Sequence, residues 1–326
     1  MSLLEKLQTL IMLAAIGLGY LAGRLLPGAE AASGLITPAL MAMLFGLFLS
    51  IPLKDLRAGF LNFKFTSTSL VLNFIWIPIL GWWLSGLFLA DSPALRLGYM
   101  MLLVTPCTDW YLVFTGLARG NVPLSAAILP VNLLVQVALL PVYLLIFSGL
   151  TGRVDLELLG RSLFLVIVLP FGLAQAARRW LAEEGRARQF LSRVFSGGQF
   201  WFLCLAIWAM FASQAELLAG QNGLFLKMLW PVALFFIINF IVGRLAARLM
   251  KFSFADSVSL SLTTLARNSP ISLAIAVTAF PHEPLIALAL VIGPLIELPF
   301  LAVIAQVLLW LRPSSQMSPK TSGNNS

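Results

Sequence analysis

The chain has 326 residues, of which 60% are hydrophobic and only 10% are charged, and its mean hydropathy is +0.96. A soluble domain carries charge on about a quarter of its residues, which excludes a water-soluble enzyme, a nucleic-acid-binding domain and a disordered regulator. The net charge of +8 is instead the excess of Lys and Arg that the cytoplasmic loops of a membrane protein carry. Both cysteines, Cys107 and Cys204, lie in apolar stretches, so no disulfide framework is predicted.

Ten apolar runs, each close to the length of a transmembrane helix of about 20 residues, follow one another along the chain. They lie near residues 7–26, 35–53, 67–90, 97–118, 122–148, 159–177, 196–218, 224–246, 256–280 and 284–311. The first run has no small-residue cleavage site after it and is predicted to be a retained span rather than a signal peptide. Residues 313–326 are rich in Ser, Asn and Pro, which predicts a disordered tail.

The basic residues are divided unequally between the two sides of a ten-span arrangement. With the N-terminus inside, 15 of the 21 Lys and Arg residues fall in cytoplasmic segments and 5 in outer loops, and Arg267 alone lies within a span. This division agrees with the positive-inside rule. The sequence therefore predicts an all-α polytopic protein of the cytoplasmic (inner) membrane. Both termini are expected in the cytoplasm, and residues 1–312 form the transmembrane domain.

Spans four and nine are each interrupted by polar residues around a proline. Thr105-Pro106 and Ser269-Pro270 both place a hydroxyl residue before a proline, a pattern typical of an N-cap followed by a new helix. An offset of 158 residues aligns several residues of the two halves, including two pairs of prolines. Five spans per half would make the two repeats, about 1–150 and 155–312, inverted. The second halves of the broken helices would then aim their N-terminal ends at a shared midplane site, whereas two simply kinked helices are the alternative.

Asp109, Arg267 and Glu297 are the ionisable residues deepest in the predicted spans. A charge at the bilayer centre costs at least a few kcal/mol unless it is paired or hydrated, which makes such residues functional candidates. Asp109 and Arg267 occupy equivalent repeat positions, so they are expected to form a structural ion pair, a functional one, or both. Glu297 is left without a fixed partner, and because burial favours its neutral form it is predicted to exchange a proton.

Other polar residues in the spans have two interpretations each. Cys107 follows the first break, where a helix N-terminus would favour a thiolate that binds soft partners, although a small buried residue is the alternative. Cys204 has no polar neighbours in the sequence and is predicted to be structural. Asn73, Asn132 and Gln136 would either line a polar pathway or bond neighbouring helices. The sequence contains no Walker lysine motif, zinc-ligand cluster or nucleophile elbow, so neither an enzyme nor a cofactor is predicted.

Four segments together resemble the bile acid:sodium symporter superfamily, and within it the arsenical-resistance permeases. They are Thr105-Pro106-Cys107-Thr108, Leu117-Ala118-Arg119-Gly120-Asn121, Arg267-Asn268-Ser269 and Gly293-Pro294-Leu295-Ile296-Glu297-Leu298-Pro299. The resemblance covers essentially the whole chain. It implies ten helices in two inverted five-helix repeats, with a panel of spans one, two, six and seven, a core of the others, and unwound, crossing spans four and nine. In the arsenite branch a cysteine in a Pro-Cys-Thr context and a glutamate in a Gly-Pro-Leu-x-Glu-x-Pro context matter for efflux, and these correspond to Cys107 and Glu297.

Two positions depart from the pattern of that family. Sodium-coupled members place a carboxylate a few residues before a Gln-Asn-Ser crossing, where this chain has Thr263, and Arg267 replaces the glutamine. A fixed guanidinium repels a sodium ion, which favours proton coupling or uniport over sodium coupling. Asp109-Trp110 puts a charge and a bulky ring where small or apolar residues are expected, and this would change the solute site.

The sequence and the resemblance together predict a secondary transporter that exports arsenite or antimonite with proton coupling. The predicted substrate-binding residues are Cys107, Thr108, Asp109, Asn268 and Ser269, with Cys107 contacting the metalloid. Glu297 and Asp109 would exchange the proton, and Arg267 and Asp109 would set the electrostatics of the crossing. The alternative is a sodium- or proton-coupled organic anion symporter in which Arg267 pairs with the substrate carboxylate. A membrane sensor or scaffold is a third possibility, which the lack of a soluble domain disfavours. The predicted partners are a small inorganic or organic solute and the lipid bilayer, with no nucleic acid.

Overall fold

The computed structural model of this protein describes residues 3–50, 61–108, 110–148, 156–180, 185–219 and 223–312. Within these ranges all regular elements are helices. In chain order the α-helices are α1 (Leu3–Leu25), α2 (Ser33–Ser50), α3 (Phe63–Phe88), α4 (Pro93–Leu103), α5 (Trp110–Leu117), α6 (Val122–Ser148), α7 (Leu156–Leu163, continued by Leu169–Trp180), α8 (Arg186–Leu191), α9 (Gln199–Ser213), α10 (Ala215–Ala219), α11 (Leu224–Leu249), α12 (Phe254–Leu265), α13 (Ser269–Ala279) and α14 (Pro284–Trp310). Turns of π-helix lie within α3 (Leu72–Trp76), within α7 (Phe164–Val168) and after α8 (Ser192–Ser196).

Several helices begin at residues that suit a helix N-terminus. The side-chain oxygens of Asn62 and Ser253 accept hydrogen bonds at 3.1 Å from backbone N–H groups three residues later, which caps α3 and α12. Pro93 and Pro284 are the first residues of α4 and α14, where the missing N–H of proline has no intrahelical partner to lose. Local sequence therefore fixes where these four helices start.

Six of the described helices are long and apolar enough to cross a membrane, and a seventh span results if the bent pair of α8 and α9 counts as one. The protein is therefore a multi-pass membrane protein. The three other predicted spans involve shorter segments. The apolar part of α1 is Leu10–Leu25, and spans four and nine are each divided into two short helices, α4 with α5 and α12 with α13. A count of spans that is based on helix length does not include a span that is broken near its middle, because each of its two helices is too short.

The helices pack into two groups. In the first, α1 and α2 both pack on α9, and α7 and the π turn after α8 pack on α2; we call α1, α2, α7, α8 and α9 the panel. In the second, α4 packs on α14 and α3, and α11 packs on α12 and α14; we call α3–α6 and α11–α14 the core. Helix α13 of the core also contacts α2 and α7 of the panel. The site described below lies between these two groups.

Glycine allows α1 and α9 to approach closely. A Cβ atom added to Gly19 would lie 2.5 Å from the backbone oxygen of Trp208, and one added to Gly23 would collide with the backbone oxygen of Ala212. Two small residues four positions apart on one helix form the pattern that brings transmembrane helices together. This contact makes the α1–α9 part of the panel tightly packed.

Candidate functional site

The two helix breaks predicted from the sequence are present, and they lie side by side. Helix α4 ends at Leu103 and α12 ends at Leu265, and the residues that follow leave the helical conformation. Pro106 and Arg267 form an antiparallel bridge, in which Cys107 N donates to the Ala266 carbonyl at 3.0 Å. Backbone groups freed by a break at membrane depth need partners within the protein, and here each break supplies partners for the other.

The start of α13 differs from the prediction at one residue. Ser269 was expected as the N-cap, but Asn268 occupies that position and its Oδ1 accepts a hydrogen bond from Ile271 N at 3.5 Å. Ser269 is the first helical residue, and its hydroxyl is buried with no hydrogen-bond partner in the described part of the chain. Asn and Ser are about equally good N-caps. Which of the two residues caps α13 therefore depends on where the chain leaves the bridge at Arg267 and becomes helical.

The start of α5 also differs from the prediction. Thr105 does not cap a new helix, because its hydroxyl bonds back to the Met101 and Leu102 carbonyls at 3.1 Å and closes α4. Pro106 lies in the bridge, and α5 begins only at Trp110. Proline disfavours the helical conformation of the residue before it, which suits an extended segment between the two helices.

The Arg267 side chain is held among oxygen atoms. Its Nη1 donates to the Leu103 carbonyl at 2.8 Å, its Nη2 to the Thr264 carbonyl at 2.7 Å and to Asn73 Oδ1 at 2.9 Å, and its Nε to the Leu265 carbonyl at 3.3 Å. Only 4% of the residue is exposed. Four of the five guanidinium N–H donors are therefore used within the protein. Asn73, for which the sequence left two roles open, accepts this hydrogen bond from the break between α12 and α13 and is not part of the wall of the cavity described below.

Glu297 has a fixed partner, which corrects the sequence-based expectation. Its Oε1 accepts a hydrogen bond from the backbone N–H of Arg267 at 2.8 Å. The carboxylate is 4% exposed and reaches from α14 to the second break. Because this N–H follows the end of α12, it is free of helical bonding and available to a side chain 30 positions away. No local sequence pattern indicates such a contact.

A cavity of about 570 Å³ lies between the panel and the crossing. The core contributes six of the predicted site residues to its wall, which are Cys107, Thr108, Arg267, Asn268, Ser269 and Glu297. Asn268 Nδ2 also donates to Thr108 Oγ1 at 3.3 Å, so the two breaks are joined by side chains as well. Asp109 lies outside the described residues, and its pairing with Arg267 stays a prediction.

The panel wall of the cavity was not predicted from the sequence. It includes Met12 of α1, Met43 and Ser50 of α2, and Ser196 and Gln199 at the bend between α8 and α9. The segment Ser196-Gly197-Gly198-Gln199, at the start of predicted span seven, is a signal that could have indicated the last two residues. Glycine pairs within an apolar run mark places where backbone conformation changes.

The two amides of span five are a separate feature. Asn132 and Gln136 are buried, and neither the oxygen nor the nitrogen of either side chain has a hydrogen-bond partner among the described residues. Neither residue lines the cavity. Cys204, expected to be structural, is likewise buried in α9 and absent from the cavity wall.

The site combines features that suit a small polar solute. Helices α5 and α13 both begin at the cavity wall, with Trp110 and Ser269, and helix N-termini carry partial positive charge. A thiol, hydroxyls, an amide and a carboxylate line the cavity, and Phe200 and Leu203 add apolar surface from the panel. Pockets of this kind have mostly apolar walls with a few convergent polar groups.

Comparison with known proteins relates the chain to membrane transporters. Residues 37–221 match the model of the Sodium Bile acid symporter family. Arsenical-resistance protein Acr3 of Corynebacterium glutamicum is 25% identical over 335 residues, covering 96% of this chain and 90% of that protein. The uncharacterized transporter slr0944 of Synechocystis sp. is 25% identical over 344 residues, covering 94% of this chain and 88% of its own length. The uncharacterized protein PA2026 of Pseudomonas aeruginosa is 31% identical over 128 residues, 38% of either chain.

Proposed function

Because the chain belongs to the Sodium Bile acid symporter family, a family of membrane transporters, we propose that it exports arsenite, or the similar antimonite, across the cytoplasmic membrane. Export is driven by protons that enter the cell, and the site is reached alternately from the two sides of the membrane. The similarity to an arsenical-resistance protein over nearly the whole chain supports this choice of solute.

The proposal includes the arrangement of the chain in the membrane. Ten spans in two inverted repeats, about 1–150 and 155–312, place both termini in the cytoplasm, and residues 313–326 form a cytoplasmic tail. The pairing of Pro106 with Arg267 supports this arrangement, because equivalent breaks of inverted repeats meet near the membrane midplane. The panel and the core are then the two bodies that move relative to each other.

The observation that carries the proposal is that Cys107 and Glu297 line the same cavity. Trivalent arsenic is a soft centre that thiolate sulfur binds well. When Cys107 binds arsenous acid, an As–S bond forms as an As–O bond breaks, and the thiol proton leaves with the hydroxyl group as water. Cys107 therefore contacts the metalloid, while Thr108, Asn268 and Ser269 hydrogen-bond its remaining hydroxyl groups.

Glu297 exchanges the proton in this proposal. Its carboxylate accepts the backbone N–H of Arg267 at 2.8 Å, and a hydrogen bond to an ionised acceptor is about twice as strong as a neutral one. Protonation of Glu297 therefore weakens a contact that holds the second break in place. A proton bound to Glu297 on α14 thereby changes the geometry of the break between α12 and α13, which forms part of the solute site.

The experiment is the growth of an efflux-deficient strain in arsenite. The wild-type chain and Cys204→Ala are expected to protect the strain equally, because Cys204 is buried away from the cavity. Cys107→Ala is expected to lose protection at equal membrane abundance. The metalloid proposal fails if the wild-type chain gives no protection, or if Cys107→Ala protects as well as Cys204→Ala.

A coupled organic anion symporter is the second candidate, and the volume of the cavity favours it. About 570 Å³ lies within the range of pockets that bind drug-sized ligands. The engagement of Arg267 with four protein oxygens counts against it, because the bonds to described residues leave one guanidinium N–H donor for a substrate carboxylate. Uptake of organic anions into proteoliposomes, with and without sodium, separates the two candidates. Strict sodium dependence would contradict our interpretation of Arg267.

A further inference from the structure

The Arg267 guanidinium lies where the C-terminal ends of two half-helices converge. Its partners are the carbonyls of Leu103 at the end of α4 and of Thr264 and Leu265 at the end of α12, together with Asn73 Oδ1. The C-terminal end of a helix carries partial negative charge. The ring of Phe235, centred 5.7 Å from the guanidinium carbon, adds a further surface that attracts cations.

All four acceptors found among the described residues are neutral oxygens, and this distinguishes the arrangement from an ordinary buried ion pair. An arginine in an ion pair is held by a carboxylate through two parallel hydrogen bonds. Carbonyl and amide oxygens at broken helix ends are instead the groups with which transporters coordinate a diffusible monovalent cation. The Glu297 carboxylate, bonded to the backbone N–H of Arg267, supplies negative charge beside the same site.

We propose that Arg267 is a tethered cation, whose guanidinium permanently fills a monovalent-cation site formed by Leu103 O, Thr264 O, Leu265 O and Asn73 Oδ1. The wild-type protein then has no place there for a diffusible ion. Removal of the side chain opens the site, and a small cation such as sodium, potassium or guanidinium occupies it. The inference does not depend on which solute the protein carries.

The test measures cation binding by thermal unfolding of the purified full-length protein in detergent. Wild type and Arg267→Ala are compared in choline, sodium, potassium and guanidinium chloride at equal concentrations, well below those at which guanidinium denatures proteins. The midpoint of the wild type is expected to be the same in all four salts. The midpoint of Arg267→Ala is expected to be lower in choline and to rise saturably with at least one small cation. The rise is roughly 5 °C at a concentration about 100 times the Kd.

Arg244→Ala is the matched control. Arg244 is also an arginine in a core helix, but its Nη1 donates to one serine hydroxyl, Ser257 Oγ, at 2.7 Å. Removal of the Arg244 side chain does not expose a group of converging carbonyls among the described residues. The thermal midpoint of this variant should therefore be the same in sodium chloride as in choline chloride. The proposal is overturned if Arg267→Ala has one midpoint in every salt, or if sodium raises the wild-type midpoint above that in choline.

If Arg267→Ala does not fold, two further variants test the proposal. Arg267→Lys supplies an ammonium group to the same oxygens, whereas Arg267→Met fills similar space without charge or donors. The lysine variant is expected to be the more stable of the two, and its midpoint should not depend on the salt. A methionine variant as stable as the lysine variant would show that the site does not need a cation, and would end the proposal.

Discussion

Two serine hydroxyls at the start of α13 have different surroundings. Ser269 lines the cavity, and its buried Oγ has no hydrogen-bond partner among the residues that the structure describes. Ser272 Oγ, one turn later, donates to the Met101 carbonyl at 2.8 Å and lies 3.1 Å from Thr105 Oγ1. The first hydroxyl is therefore available to a solute, and the second joins α13 to α4.

We expect Ser269→Ala and Ser272→Ala to separate transport from stability. Ser269→Ala should leave the thermal midpoint unchanged and raise the KM for the transported solute roughly two- to tenfold, the equivalent of one hydrogen bond. Ser272→Ala should lower the free energy of unfolding by about 1 kcal/mol, because buried bonds are lost. Thermal unfolding and transport kinetics of both variants check this. A Ser269→Ala variant with a wild-type KM would remove this residue from the solute site.

At this scale the sequence identified residue types better than their partners. Cys107 and Glu297 were singled out by their chemistry, and both line the cavity. The bond from the Arg267 backbone to Glu297 spans 30 positions and depends on tertiary packing. The N-cap of α13 is Asn268 and not the predicted Ser269 for a similar reason. Either of these adjacent residues could cap the helix, and the tertiary packing of the break determines which one does.

Among the elements, the contact of α1 with α9 is sensitive to added volume. A Cβ atom at Gly23 would meet the Ala212 carbonyl oxygen and lie 2.5 Å from Ala215 Cβ, whereas one at Gly17 would meet nothing within 4 Å. Both positions lie in α1, so the same substitution compares a packed face with an open one.

We predict that Gly23→Ala destabilises the protein and that Gly17→Ala does not. Overpacking in a tight interface costs about 1–3 kcal/mol, and removing a glycine from a helix interior gains roughly 0.5–1 kcal/mol. The thermal midpoint should therefore fall for Gly23→Ala and stay level or rise for Gly17→Ala. Equal midpoints for the two variants would mean that α1 and α9 do not pack closely in the membrane.

The helix breaks were predictable from sequence because proline and polar residues mark them locally. Their exact ends were not, since Pro106 belongs to a backbone bridge and not to the start of α5. The bend between α8 and α9 has no distinctive local signal, because glycine is common in membrane helices. Local composition therefore locates an interruption, and packing determines the path of the chain through it.

For the whole molecule, the orientation in the membrane decides which side the cavity faces. Its panel wall includes Ser50 at the end of α2, while Glu30 is exposed just before the same helix begins. In the proposed orientation Glu30 lies outside and Ser50 lies toward the cytoplasm. The cavity wall then reaches the cytoplasmic end of α2, the side from which an exporter takes its solute.

We predict opposite labelling of the two ends of α2. Glu30→Cys and Ser50→Cys are placed in a chain whose own two cysteines are replaced by alanine, and a membrane-impermeant thiol reagent is applied. Glu30→Cys should react in intact cells, and Ser50→Cys should react only in inside-out vesicles. The reverse pattern would invert the topology, and reaction of both from one side would mean that α2 does not cross the membrane.

The crossing of the two breaks is made by main-chain atoms, through the bonds from Cys107 N to Ala266 O and from Asn268 N to Thr105 O. Main-chain bonds survive most substitutions, so the side chains at the crossing are free to diverge while the architecture persists. A new solute preference then requires a handful of replacements around one cavity and no new fold. Such a scaffold is well suited to adaptation, because natural selection can change its chemistry one residue at a time.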